Sequence, residues 1–268
     1  MPAVEYQRSG HVAVVTLNRP EARNAMSPEV IVRLADAWEE VSRDDGVRVA
    51  ILTGSGDRAF CSGADLARLI PLMSGARQPE DDFDRRVVED PAMSDRASLR
   101  VSDLDKPVIA AVNGAAIAGG MELVQGTDLR VAADHARFGL QEVKWGLFPM
   151  GGSTVRVPAQ VPYPVAMEIL LTGQLLDARR AYELGFVNQV VRGDQVMDEA
   201  LRLAEVIAAN GPVAVRAIKA SVKACLGRPE REAMRLELDH GRPVFATEDA
   251  REGPRAFLEK RRPEFHGR

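Results

Sequence analysis

The stretch Lys106–Ser153, KPVIAAVNGAAIAGGMELVQGTDLRVAADHARFGLQEVKWGLFPMGGS, decides how the rest of the chain is read. Pro107 to Val112 is a short, apolar, partly β-branched run, the pattern of a buried strand. Asn113-Gly114 ends it, Ala115 to Ala118 lead into Gly119-Gly120, and Met121 to Thr127 is periodic as a short helix. Glycine just ahead of a helix lets a ligand approach the backbone, where the first helical N–H groups are unpaired. Glu122 falls in that first turn. Glu142 follows Phe138-Gly139-Leu140-Gln141 in a second short segment, closed by Gly146 and Pro149. Two carboxylates near backbone N–H donors are the parts needed to move protons beside a carbonyl. Taken alone, each acid has a plainer reading: Glu122 as a complement to a helix dipole, Glu142 as a surface carboxylate.

Outward from this stretch the chain alternates strands and helices. Val4 to Gln7 and Val12 to Leu17, parted by Ser9-Gly10, predict a hairpin, and Asn18 to Asn24 a polar loop. Ser27-Pro28-Glu29 opens a helix with a capping hydroxyl, a proline at the first position and an acid in the first turn. Ile31, Leu34, Ala35, Trp38 and Val41 form its apolar stripe, which assigns Trp38 to the core. Asp44-Asp45-Gly46 ends the helix and Val47 to Leu52 is a second buried strand, an order that predicts a right-handed crossover and a parallel sheet. Gly54 to Ala59 formally fits the G-x-G-x-x-A dinucleotide fingerprint. That fingerprint must open a helix at once, and Phe60-Cys61-Ser62-Gly63 intervene, so the glycines predict a turn.

A helix is expected from Asp65-Leu66 to about Met73, then a surface insertion, Ser74 to Asp95, with Pro79, Pro91 and the acidic run Glu80 to Asp84. Ala178 to Leu184 predicts a helix and Val187 to Val191 a last strand. Four helices then follow, Gln195–Ala209, Val213–Cys225, Pro229–Phe245 and Asp249–Lys260, with Pro254 expected to shift or break the start of the last. The organisation is therefore an α/β part, residues 1–194, and a helical part, residues 195–268.

A hydrophobic fraction of 46% in 268 residues supports a sizeable core. A formal charge of −4 excludes a general attraction to nucleic acid or anionic membranes. Cys61 and Cys225 stand apart with no zinc-type spacing, which fits a reducing, cytoplasmic setting. The N-terminal residues show no signal pattern, and no apolar run reaches membrane-spanning length. His11, His135, His240 and His266 fit no metal or triad pattern, and Ser153 lacks the context of a nucleophile elbow. Asp65 is expected as a loop-to-helix cap and Asp128 as a structural acid at a strand start.

Together these residues resemble the crotonase superfamily, the enoyl-CoA hydratase/isomerase family. The likeness rests on Lys106 to Gly114, Ala118-Gly119-Gly120-Met121-Glu122 and Phe138 to Glu142, in that order. Leu17-Asn18-Arg19-Pro20 with Arg23-Asn24-Ala25, Phe60 to Leu66, and Glu252-Gly253 with Ala256 to Arg261 extend it over nearly the whole chain. The resemblance implies an α/β fold, a spiral core of ββα turns with a C-terminal helical segment that supplies CoA contacts and trimerisation. It implies reversible hydration of an enoyl-CoA at C2=C3, in breakdown of fatty or related acyl groups, sterol side chains among them. Alternatives are an enoyl-CoA isomerase, another acyl-CoA dehydratase, or a non-catalytic binding protein of the same fold.

By the same resemblance Glu122 and Glu142 move the protons, and carrying both favours hydration. The oxyanion donors are the N–H groups of Gly119, also argued locally from its helix start, and of Ala64, implied by family match alone. CoA and acyl contacts are implied for Arg23, Ala25, Ala64, Asp65, Leu66, Ala67, Met150 and, toward a neighbouring subunit, Lys260. No metal and no cofactor beyond the CoA of the substrate is expected. The expected partners are an acyl-CoA and copies of the chain in a trimer or a hexamer of paired trimers. Two departures stand out: Met150 replaces a glycine close to the attacking water, and Ala118, a mild change, stands where glycine is usual.

Overall fold

A computed structural model describes residues 1–268. The expected hairpin forms: β1 (Val4–Ser9) and β2 (Val12–Leu17) pair antiparallel around Gly10, whose φ of 56° suits a tight turn. α1 (Pro28–Arg43) starts where its cap predicts, with the Val30 N–H donating to Ser27 Oγ at 3.4 Å. Its far end is closed by a residue from elsewhere. The buried Lys106 ammonium donates to the carbonyls of Val41, Ser42 and Asp44, placing a cation on the negative end of the helix.

From β3 (Val49–Gly54) the chain repeats a unit: a strand in a large sheet, a strand in a small one, then helix. β3 leads to β4 (Ala59–Cys61) and the helices α2 (Leu69–Met73), α3 (Asp82–Glu89) and α4 (Met93–Ala97). β5 (Val108–Val112), β6 (Ala115–Ile117) and α5 (Gly119–Gly126) form the next unit. β7 (Leu129–Ala133), β8 (Arg137–Gly139), α6 (Ser153–Gln160) and α7 (Tyr163–Thr172) form the third. β9 (Leu176–Asp177), α8 (Ala178–Glu183) and β10 (Gln189–Val191) complete the strands. The large sheet has the order β1-β2-β3-β5-β7-β10, parallel except for the first pair; the small one is β4-β6-β8-β9. This is the expected ββα spiral. The strand β3 runs into β4 and no helix opens at Gly54 to Ala59, as the rejected dinucleotide fingerprint requires.

Helix α9 (Val196–Ala208) lies on β2, β3, β5 and β7 through the buried Ala200, Ala204 and Ala208, whose small side chains allow close approach. The helical part therefore begins with an element that covers the sheet. Only α10 (Pro212–Cys225), α11 (Glu230–Gly241) and α12 (Asp249–Leu258) extend beyond the core, and neither α10 nor α11 buries a residue.

Four details differ from the expectations. α2 is shorter than expected, although Asp65 caps the turn ahead of it as expected: its carboxylate accepts the Ala67 and Arg68 N–H groups and its carbonyl the Leu69 N–H. The Ser74–Asp95 insertion is ordered rather than solvated: α3 and α4 pack on α1, Asp84 is fully buried, and Arg77 donates to both of its oxygens. Those guanidinium hydrogen bonds hold the Asp84 carboxyl well below the usual carboxylate range. The helix expected over Pro229–Phe245 divides at Gly241, with a tight turn over Arg242–Ala246. Pro254 sits inside α12 without breaking it. The first turn is anchored by the C-terminal tail, His266 and Gly267 N–H donating to Asp249 and Arg261 donating to Glu252.

Ala118 is not a mild change. It precedes α5 with φ 51° and ψ −126°, a backbone region that a Cβ penalises and glycine does not. Strain of this kind costs about 1–3 kcal/mol, against ~0.4–1 kcal/mol of unfolded-chain entropy lost by glycine. Ala118→Gly is therefore expected to stabilise the protein by about 1 kcal/mol, read as a raised urea midpoint at unchanged slope. A lowered midpoint would contradict the strain argument.

Candidate active site

The site is built where the small sheet feeds two backbone turns toward each other. Gly63 O accepts the Met26 N–H at 2.8 Å and Met26 O accepts the Asp65 N–H at 2.9 Å, an isolated bridge that leaves the intervening Ala64 N–H free. On the other side, β6 is followed by Ala118, whose N–H donates to Gly139 O at 2.8 Å, and α5 begins at Gly119 with its own N–H free. A Cβ built on Gly119 would stand 3.7 Å from Ala64 N, and one built on Gly63 3.2 Å from Gly119 N. The two unpaired donors are thus neighbours, one of them at the positive end of a helix. The C-terminal end of that helix is closed by the buried Arg130, which donates to Val124 O at 3.0 Å and Thr127 O at 3.1 Å.

Glu122, on the first turn of α5, is 6% exposed. Ser153 Oγ donates to its Oε1 at 2.9 Å, and the backbone N–H groups of Gly151 and Ser153 also donate to the carboxylate. Burial raises its pKa above the ordinary carboxylate value; the Ser153 and Gly151 donors and the charge of Arg156 oppose that rise. Glu142 opens a tight turn, Glu142–Trp145, that follows β8, and is half-buried. Its pKa is raised too, by burial first, opposed by its own backbone N–H and reinforced by the charge of Glu122. Its Oε2 is buried without any hydrogen-bond partner. One acid is clamped by donors; the other has an oxygen to which nothing donates. A carboxyl of the second kind favours carrying its proton.

The other expected residues fall into three groups. Ala25 and Asp65 flank the Met26–Ala64 bridge, and Asp65 is engaged by Arg19 at 3.0 Å. Arg23, Leu66 and Ala67 are exposed around the same loops, Arg23 with φ 53°. Met150 projects outward, 69% exposed, next to the Gly151 that binds Glu122. Lys260 lies past the end of α12 and shares no hydrogen bond or ion pair with any of these within the chain. Asp128 is structural as expected: it accepts the Val108 N–H at 2.7 Å and pairs with Lys219 at 2.7 Å. A cavity of about 640 Å³ lies elsewhere, lined by charged residues of the C-terminal segment such as Glu248, Glu252, Arg255 and Arg268.

Sequence reasoning missed Met26, Ser153 and Arg156. Met26 is buried, its Cε 2.5 Å from the Cβ that Gly119 lacks. Arg156 attracts Glu122 and donates to the carbonyls of Leu99 and Arg100 beyond α4, tying the insertion to the site. The one available signal was that Gly151-Gly152-Ser153 opens a helix, as Gly119-Gly120 does.

The sequence pattern of the family described as enoyl-CoA hydratase/isomerase matches residues 7–268. The enoyl-CoA hydratase EchA19 of Mycobacterium tuberculosis is 45% identical over 267 residues, covering 100% of this chain and 97% of that protein. The (E)-benzylidenesuccinyl-CoA hydratase of Thauera aromatica is 37% identical, covering 98% and 99%. Among solved structures, an enoyl-CoA hydratase of Mycobacterium marinum superposes with a TM-score of 0.89 at 38% identity, covering 100% of both chains. With a shared fold, full-length similarity and the expected motifs in place, this chain belongs to the enoyl-CoA hydratase/isomerase family.

Proposed function

We propose that the protein is an enoyl-CoA hydratase, adding water reversibly across C2=C3 of an enoyl-CoA. The observation that carries this is the pair of adjacent, chemically unlike carboxyls beside two free N–H groups. The thioester oxygen accepts the Ala64 and Gly119 N–H groups, so negative charge arriving there meets donors already oriented. Glu122, clamped and ionised, takes a proton from water, whose oxygen attacks C3. Glu142 gives its proton to C2, and the two acids exchange the proton through solvent before the next turnover. All atoms come from substrate and water; no metal or redox cofactor has a step. Arg23, Ala25 and the Ala64–Ala67 loop hold the CoA, with Lys260 serving a neighbouring subunit. Leu66, Ile70, Met73, Leu147, Phe148 and Met150 are exposed and offer apolar surface to an acyl group.

Mixing the enzyme with a panel of short, long, aromatic and sterol-derived enoyl-CoAs should bleach the absorbance of the conjugated thioester for at least one member. No change across the panel would sink the proposal. Double-bond isomerisation needs only one acid, so the second one argues for hydration. An acyl-CoA titration beside an RNA titration separates catalysis from a purely binding role, which the net charge of −4 disfavours for RNA.

The same reading includes assembly. Ile218 and Val222 on α10, Leu226 just past its end, Met234 and Leu238 on α11, and Phe257 and Leu258 on α12 are all at least half exposed in the single chain. Apolar surface on three successive helices marks an interface, and we place the trimer contacts and the 195–268 segment's function there. Light scattering should give a multiple of three chains; a mass near 29.2 kDa would contradict it. Two unpaired thiols, Cys61 and Cys225, support a cytoplasmic setting.

A further inference from the structure

Ser153, the donor to Glu122, is fully buried and touches no substrate atom in the chemistry described so far. Its Oγ receives the Gln125 amide N–H at 3.0 Å and lies 2.9 Å from Glu122 Oε1. Gln125 Nε2 can only donate, so the single proton of the serine hydroxyl must point at the carboxylate. Turned the other way, the amide would offer its oxygen to the hydroxyl and leave Glu122 facing a lone pair. The orientation present leaves Gln125 Oε1 buried with no partner. Gln125 is fixed in turn through its own carbonyl, which accepts from Gln160 at 3.1 Å and Arg130 at 3.4 Å.

We propose that Ser153 is a positioning residue that keeps Glu122 ionised as the water-activating base, with Gln125 setting the direction of its hydroxyl. The proposal rests on the reading of Glu122 as that base. Other charged or titratable groups around Glu122 do not duplicate the effect. Arg156 on α6 attracts it but is committed to the carbonyls of Leu99 and Arg100, and Glu142 repels it. Cys61 on β4, against α5, is a neutral thiol whose pKa burial pushes up to about 12, and Arg130 serves the opposite end of the helix.

The test reads Glu122 directly, by infrared difference titration of the free enzyme with Glu122→Gln as the blank, and then the pH profile of kcat/KM. A hydrogen bond to the charged form lowers a carboxyl pKa, so its removal in Ser153→Ala raises it. The Glu122 midpoint should move up by about one pH unit or more, and the acid limb of kcat/KM should move with it. At the alkaline plateau kcat and KM should change by less than about threefold, because the base is ionised there in both proteins. Ser153→Thr, which keeps the hydroxyl, should restore both midpoints. If Ser153→Ala does not fold, Gln125→Met carries the same test, since the hydroxyl proton is then free to turn away. An unmoved Glu122 midpoint overturns the proposal. A midpoint that moves while the acid limb stays put overturns it differently, showing that the hydrogen bond acts but that Glu122 is not the base.

Discussion

Replacing Glu142 by glutamine should lower kcat by ~10²–10⁴-fold, the usual worth of a positioned general acid, with CoA affinity nearly unchanged. The amide keeps the shape of the carboxyl and can still donate a hydrogen bond, but it has no proton to transfer. The magnitude follows from the environment. Burial and the neighbouring charge of Glu122 hold the Glu142 carboxyl above its ordinary pKa, and its Oε2 has no donor to stabilise the ionised form. Deuterium exchange at C2 of a saturated acyl-CoA should disappear in step with hydration, because both need the same proton. A Glu142→Gln enzyme that hydrates normally would remove Glu142 from the mechanism. One that lost hydration but still shifted double bonds through Glu122 would make the single-acid isomerase the better reading.

The second large effect is expected from a methyl group, Gly120→Ala. A Cβ at this position would stand 2.7 Å from the carbonyl carbon of Cys61, closer still to its oxygen, and 2.9 Å from Cys61 Cβ. The first two are backbone atoms of β4 and the third is fixed directly to that backbone, so no side chain can swing aside to make room. Either β4 or the start of α5 must move, and the free N–H groups of Ala64 and Gly119 hang from just beyond each. Prising them apart removes donors that are each worth about 10²–10³ in kcat. Gly120→Ala should therefore lose at least ~10²-fold in kcat, together with ~1–3 kcal/mol of stability from overpacking. A folded Gly120→Ala enzyme with wild-type kcat would show that this pair of N–H groups does not bear the developing charge.

Much of this site is written locally. The apolar run before Asn113, the glycines before Met121 and the carboxylate in the first turn predict β5, the start of α5 and the place of Glu122 without any distant contact. The same holds for α1, whose serine cap and proline mark its first residue. Local rules also dismiss the glycine-rich turn after β3, since no helix follows it. They miss where stability comes from partners far along the chain. Asp84 looks like part of a solvated acidic run until Arg77 folds over it, and Pro254 looks like a helix breaker until the C-terminal tail secures the turn around Asp249.

The residue types and spacings of one stretch thus determined the strands, the ligand-facing helix and two acids within a turn of glycine-rich backbone, because periodicity, caps and turns act over a few residues. What they could not determine is which backbone groups meet. Ala64 and Gly119 are brought together by the parallel pairing of β4 with β6 and the bridge from Met26, a matter of sheet register. The difference between the acids is likewise tertiary. The sequence sets Glu122 in a helix first turn and Glu142 in a short segment but names no partner for either; Ser153 at the start of α6 donates to Glu122, while Glu142 Oε2 has no donor. Their chemistry follows from that packing, since the pKa of a carboxyl depends on the donors and water that reach it, not on its neighbours along the chain.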